Sequence, residues 1–176
     1  MKLGSLTFTQ LEANDKRVAA PVLEAASKYK IQDDVFVANI DPSLADTAAF
    51  CKNYQVDEAI STNCLVIGSK RAGEISYSAC LVMAGDMADV NGAVRKDLGA
   101  RKVSFAAKDI ALELTGMEYG GITPVGLPSD WTLLVDESVM SHEFIVIGSG
   151  LRSSKIALRT KALSSLPAAR ALNIKR

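Results

Sequence analysis

The residues best suited to chemistry lie in one stretch, Gly120-Gly121-Ile122-Thr123-Pro124-Val125-Gly126-Leu127-Pro128. Its glycines allow positive φ and close backbone approach, while its prolines set φ and remove donors, so the loop is shaped and stiff. Two readings follow. One is a structural crossover that also stops the preceding helix. The other is a preformed backbone cradle for a small polar group. Little else competes for the role. His142 is the only histidine, and Cys51, Cys64 and Cys80 are widely spaced. No metal site of ordinary histidine spacing can form, and no cysteine cluster replaces one. No local motif pairs His142 with a nucleophile, and it reads as a surface residue leading into a strand. Chemistry here would rest on backbone donors, carboxylates, bound water and the substrate's own groups. Asp136, at the end of an apolar run, is either an acid or anchor or a turn and cap carboxylate. Gly148-Ser149-Gly150-Leu151-Arg152-Ser153 imitates a dinucleotide fingerprint, but its third glycine is a serine and the next residues alternate like a strand. A pyrophosphate site needs a helix N-terminus at that point.

The elements that must position these residues follow from periodicity. Apolar residues at helical spacing between Leu11 and Lys30 predict an amphipathic helix, capped at Asn14 or Asp15 or restarted at Pro21. Val35–Ile40 predicts a strand, and Asp41-Pro42 caps a helix running toward Tyr54. Asn63–Gly68 and Glu74–Met83 predict strands about a hairpin turn at Arg71-Ala72-Gly73. Val90–Gly99 reads as a helix with a glycine cap, and Asp86, Asp89 and Asn91 read as capping residues. Val103–Ala106 is extended, and Asp109–Leu114 is helical, stopped by Thr115-Gly116. Trp131–Asp136 is a strand. Phe144–Gly148 and Lys155–Arg159 form a strand pair, with a last helix starting near Lys161 or Ala162. Hairpin strands with interspersed helices predict a single α+β domain with a mixed sheet surrounded by helices. Residues 1–55 form its mainly helical front section.

At 176 residues the chain suits one domain. No apolar run is long enough for a membrane span, and the start lacks the apolar centre of a signal peptide. Apolar neighbours make the cysteines buried thiols of a reducing compartment, so a cytoplasmic protein is expected. The net charge of zero hides an asymmetry: from Phe144 to Arg176 there are basic residues and no acidic one. That tail either steers a polyanion or forms a solvated terminal helix.

Several of these pieces occur in an order that resembles the YbaK / prolyl-tRNA synthetase-associated domain family of trans-acting aminoacyl-tRNA deacylases. They are Asn63-Cys64-Leu65-Val66-Ile67, Ala88-Asp89-Val90-Asn91 before a helix, Thr115-Gly116 before the Gly120–Pro128 loop, the strand ending at Asp136 and the Gly148-Ser149-Gly150 turn. The likeness spans roughly residues 56–171, and the Gly-x-x-Pro-x-Gly run from Gly121 to Gly126 is its most specific part.

The resemblance implies hydrolysis in trans of the ester joining a wrong amino acid to a tRNA 3′ end, with no cofactor and no metal. It implies catalytic roles for Asn63, Gly121 and Gly126. It implies substrate contacts from Gly120, Ile122, Thr123, Pro124, Asp136, Gly148 and Gly150, and tRNA contacts from Arg152, Lys155 and Arg159. Mischarged tRNA is the implied partner, with room for contact with the translation machinery and no membrane. The family pattern has a lysine just before the leucine-rich strand, where this chain has Asn63. An amide carries no charge, and Lys70, Arg71 or Lys102 would have to supply it from elsewhere. A non-catalytic module for aminoacyl-tRNA or a small aminoacyl ligand is the main alternative, and a partner-binding domain with no nucleic-acid role is the third.

Overall fold

The computed structural model describes residues 1–176. In chain order the elements are β1 (Lys2–Leu3), β2 (Leu6–Thr7), β3 (Thr9–Gln10), α1 (Ala20–Lys28), β4 (Val35–Asn39), α2 (Thr47–Tyr54), β5 (Thr62–Arg71) and β6 (Glu74–Met83). Then follow α3 (Arg95–Asp97), β7 (Lys102–Phe105), α4 (Lys108–Thr115), β8 (Thr132–Asp136), α5 (Glu137–Met140), β9 (Phe144–Gly148), β10 (Ser154–Arg159) and β11 (Ala169–Leu172). The strands form two main sheets, ordered β3-β4-β10-β9 and β11-β8-β6-β5-β7, beside a small β1-β2 hairpin. The first is antiparallel throughout. The second is mixed, since β8 runs parallel to both β6 and β11. No helix is long and apolar enough to cross a membrane.

Alternation along the strands decides which face meets which partner. Val35, Val37, Ile145, Ile147, Ile156 and Leu158 of one sheet meet Ala79, Leu81, Leu133 and Val135 of the other, with Val22 and Ala26 of α1 in the same core. The intervening residues are buried on the opposite faces. Cys80, Val82 and Leu134 pack with Val90, Val94 and Ile174, while Val146 packs with Phe50 and Cys51 of α2. Each fully buried aliphatic side chain contributes roughly 1.5–3 kcal/mol of transfer free energy. Because both faces are covered, these strands read as nearly continuous apolar runs.

Local chemistry sets the boundaries. Ala72 and Gly73 both have positive φ, the tight-hairpin geometry that joins β5 to β6. Pro21 sits in the first turn of α1, and the predicted helix begins only at Ala20. Asp15 does not cap it. Its carboxylate holds the Arg17 guanidinium at 2.6 Å, and that hydrogen-bonded pairing keeps the Asp15 carboxyl below the usual range. Asp41 caps a single 3₁₀ turn, Pro42–Leu44, and Asp46 caps α2 afresh. Residues 1–55 are less helical than expected, because β3 and β4 belong to the four-stranded sheet.

The last helix expected near Lys161 is a 3₁₀ turn, Thr160–Ser165, followed by β11, which adds to the edge of β8. Asp136 makes that ending possible. One carboxylate oxygen accepts from the Ser138 N–H at 3.0 Å and from its hydroxyl, capping α5. The other accepts from the N–H groups of Ile174 and Lys175 at 2.9 and 3.1 Å. Burial pushes this carboxyl up, but the Ser138, Ile174 and Lys175 hydrogen bonds outweigh it and hold it below the ordinary value. A carboxyl lowered by folding contributes stability at neutral pH that is lost as pH falls through its folded value. Asp136→Ala is expected to cost about 2–4 kcal/mol in denaturant unfolding, since it orphans buried donors. It should also speed amide exchange at Ile174 before the rest of the core opens.

Candidate functional site

The Gly120–Pro128 loop is held by a backbone seam with the turn between β9 and β10. Gly150 N–H donates to the Gly121 carbonyl at 2.7 Å, and Glu118 N–H donates to the Gly150 carbonyl at 2.8 Å. A Cβ on Gly121 would sit 2.7 Å from the Leu151 oxygen, and one on Gly148 would fall on the Gly121 and Ile122 oxygens. Only hydrogen fits at either place. Arg152 clamps the same loop, with Nη1 donating to the Tyr119 carbonyl at 2.9 Å and Nη2 to the Pro42 carbonyl at 2.9 Å.

Against this seam opens a cleft of about 460 Å³. Its walls are Ala45, Asp46 and Thr47 at the start of α2, Thr62 to Leu65 of β5, Tyr119, Gly120 and Ile122 of the loop, and Gly148, Arg152 and Lys155. The β5 wall is carried there because Ser61 bridges to Val146 and the Thr62 hydroxyl donates to the Val146 carbonyl at 2.9 Å. Asn63 accepts a 2.8 Å hydrogen bond from the Thr47 hydroxyl on Oδ1. Gly120 and Ile122 line the cleft, and their N–H groups have no acceptor within the protein. Tyr119 is exposed on the rim, with Lys108 Nζ 4.1 Å from its ring centre.

Lys155 has an unusual environment for a lysine. It lies opposite Gly148 in the β9–β10 register, is only 6 % exposed, and donates from Nζ to the Ala45 carbonyl at 2.8 Å. Its ammonium lies 5.4 Å from the Phe50 ring centre, and no carboxylate comes within ion-pair distance. Burial lowers its pKa to about 8, with Cys51 and Asp46 opposing and Arg152 adding to that effect. Cys64, also on the cleft wall, has its thiol pushed up strongly by burial. A thiol so far from ionising is no nucleophile at neutral pH.

The sequence-derived site divides. Asn63, Gly120, Ile122, Gly148, Arg152 and Lys155 share the cleft. Gly121 adjoins it, but its N–H is spent on the Glu118 carbonyl at 2.9 Å. Thr123, Pro124 and Val125 are buried. Gly126 turns with φ +92° against Pro21, where a Cβ would lie 2.6 Å from backbone atoms. Val125 and Gly126 pack against α1. Gly150 packs on Ala19, and Asp136 serves the C-terminal segment.

The basic tail is not a free polyanion face either. Arg159 meets Glu143 and Asp34, Lys161 meets Asp34, Arg170 meets Asp97, Lys175 meets Asp86 and Arg176 meets Asp89. These five cations are matched by acidic residues before the tail in the chain, leaving Arg152 and Lys155 at the cleft without an ion pair. Lys70 and Arg71 lie at the far end of β5, where Lys70 pairs with Lys102 of β7. Seven residues of strand put Lys70 about 23 Å from Asn63. Lys155, by contrast, reaches the cleft from another sheet, and only its register opposite a glycine could have hinted at that.

Among families of known proteins, the aminoacyl-tRNA editing domain matches residues 41–166. The chain belongs to that family. It is 33 % identical over 92 residues to the uncharacterized protein YwhH of Bacillus subtilis, a stretch covering 52 % of this chain and 58 % of that relative. The chain thus spans little more than half the length of the curated relative it matches. Among solved structures, a candidate trans-editing enzyme for prolyl tRNA synthetase superposes with a TM-score of 0.76 at 18 % identity, over 89 % of this chain and 95 % of that one. The hypothetical protein APE2540 gives 0.76 at 20 % identity, over 89 % and 99 %. These likenesses establish a shared fold. The matched span contains the whole cleft.

Two outcomes follow for the editing domain's cleft. Gly148→Ala should disrupt the seam, costing at least about 2 kcal/mol by overpacking against backbone; chemical denaturation measures it. A pKa lowered from 10.5 to about 8 corresponds to about 3 kcal/mol of buried-charge cost for Lys155. That cost is complete below pH 8 and fades toward pH 10.5, as the folded chain sheds the proton first. Lys155→Met loses one hydrogen bond, worth about 1 kcal/mol. It should still be more stable than wild type at pH 7, by about 1–2 kcal/mol, with the gain shrinking by pH 10 in parallel melts.

Proposed function

We propose that this protein hydrolyses, in trans, the ester joining a wrongly attached small amino acid to the 3′ end of a tRNA. The observation that carries the reading is the cleft of an editing-domain chain, lined both by Gly120 and Ile122, whose N–H groups have no acceptor in the protein, and by Asn63 of β5. Small amino acids differ by so few contacts that binding alone discriminates by only about 10–200-fold, so a second, hydrolytic sieve is needed. In that reaction water attacks the ester carbonyl and negative charge gathers on its oxygen. Preorganised backbone donors on a stiff loop stabilise such a charge. Gly120 and Ile122 offer those donors. Asn63 Nδ2, left without a protein acceptor once Thr47 holds Oδ1, offers a third. Tyr119 on the rim can stack the unpaired terminal base, the usual mode for single-stranded RNA. A tRNA substrate places the protein in the cytoplasm, with binding that weakens as salt rises.

The amide at the family's lysine position favours a second reading, a binding module that retains aminoacyl-tRNA without cleaving it. Incubation with tRNAs charged with small non-cognate amino acids separates the two. Ester loss well above the uncatalysed rate is expected for at least one pair, reduced about tenfold by Asn63→Ala, the effect of one lost hydrogen bond. Binding without ester loss, together with a gain of hydrolysis in Asn63→Lys, would establish the module instead.

A further inference from the structure

We infer that Lys155 is the cation that meets the aminoacyl ester in this cleft, supplying from β10 the charge that Asn63 lacks on β5. The inference rests on the editing reading above. Three observations converge on it. Lys155 lines the same cleft as Asn63, Gly120 and Gly148. The residue across the β9–β10 pair from it is Gly148, itself part of the cleft wall, against which the Gly121 and Ile122 carbonyls of the loop close. Nζ has three protons and spends one on a protein acceptor, the Ala45 carbonyl.

Fold stability does not account for an ammonium there. A buried charge with no carboxylate partner costs the folded state, and an apolar side chain of equal length would pack beside Phe50 and Cys51 without that cost. The charge gains a purpose when an acceptor oxygen enters the cleft. As water adds to the carbonyl carbon, the π pair moves onto the carbonyl oxygen, and Nζ–H donates to that oxygen without giving up its proton. Collapse then breaks the bond to the ribose oxygen, which takes the proton lost by water, releasing a free amino acid and an intact tRNA hydroxyl.

The titratable and charged groups facing Lys155 are Asp46 before α2, Cys51 within α2 and Arg152 beside β10. With its pKa near 8, the charged form dominates at pH 7 and is lost through pH 8–9. Activity corrected for uncatalysed hydrolysis should fall across that window.

The test compares wild type, Lys155→Met and Lys155→Arg in deacylation from pH 6 to 9. It adds binding of a 3′-aminoacylamino-3′-deoxyadenosine, an amide that is not hydrolysed. Lys155→Met is expected to lose about 100-fold in kcat/KM, the scale of one lost oxyanion donor, without a lower melting temperature. Lys155→Arg should keep activity within about tenfold, because a guanidinium stays charged, and should abolish the fall above pH 8. An active wild type with Lys155→Met within twofold overturns this inference and leaves the editing reading standing. If Lys155→Met does not fold, the Lys155→Arg profile decides, an unchanged fall above pH 8 counting against Lys155. If wild type cleaves no charged tRNA, the editing reading falls. Binding of the amide then decides: about tenfold weakening in Lys155→Met keeps Lys155 as a contact, whereas equal affinity, or no binding by wild type, overturns it.

Discussion

The structure depends on how closely two pieces of backbone can approach. Gly121 and the turn at Gly148 to Leu151 meet carbonyl to amide, at a separation that leaves no room for a Cβ on either Gly121 or Gly148. That seam joins the loop to the four-stranded sheet. The Ser61–Val146 bridge joins β5, and hence the five-stranded sheet, to the same strand β9. The cleft is the space left where these two junctions come together. A shaped Gly/Pro loop is therefore both crossover and cradle: Val125 and Gly126 pack against α1, and its exposed half carries the unpaired N–H groups.

Electrostatics follow a similar division. Five of the basic residues after Phe144 find carboxylates supplied by earlier parts of the chain. Exposed pairs of this kind are worth at most about 1 kcal/mol each, but together they remove the appearance of a free basic face. Arg152 and Lys155 are the exceptions: Arg152 is held by the Pro42 and Tyr119 carbonyls, and Lys155 is buried on a carbonyl and an aromatic ring. An ammonium buried without a carboxylate partner lowers the stability of the fold.

Much of the architecture was legible in the residues. β4, β6, β7, β8 and the β9–β10 pair lie within a residue of their predicted spans, because apolar runs bounded by Ala72-Gly73 or Gly148 leave few alternatives; β5 runs three residues beyond its predicted end, as far as the hairpin turn. The C-terminal segment was not legible. The helix expected from Lys161 or Ala162 is one 3₁₀ stretch, after which the pairing of β11 with β8 and the Asp136 contacts to Ile174 and Lys175 draw the chain into an added strand. Long-range hydrogen bonds decided the ending. The same contacts hold Asp136 outside the cleft.

The sequence by itself determined the α+β class, the loop whose composition demands a special conformation, and the absence of a charge at Asn63, since each is a local property of residue type and order. Only the tertiary structure decided which half of the loop faces the cleft and which cation joins it. Gly126 and Lys155 owe their roles to partners far away in the chain, Pro21 for the first and Ala45 for the second. Contacts across more than a hundred residues carry no trace in local pattern.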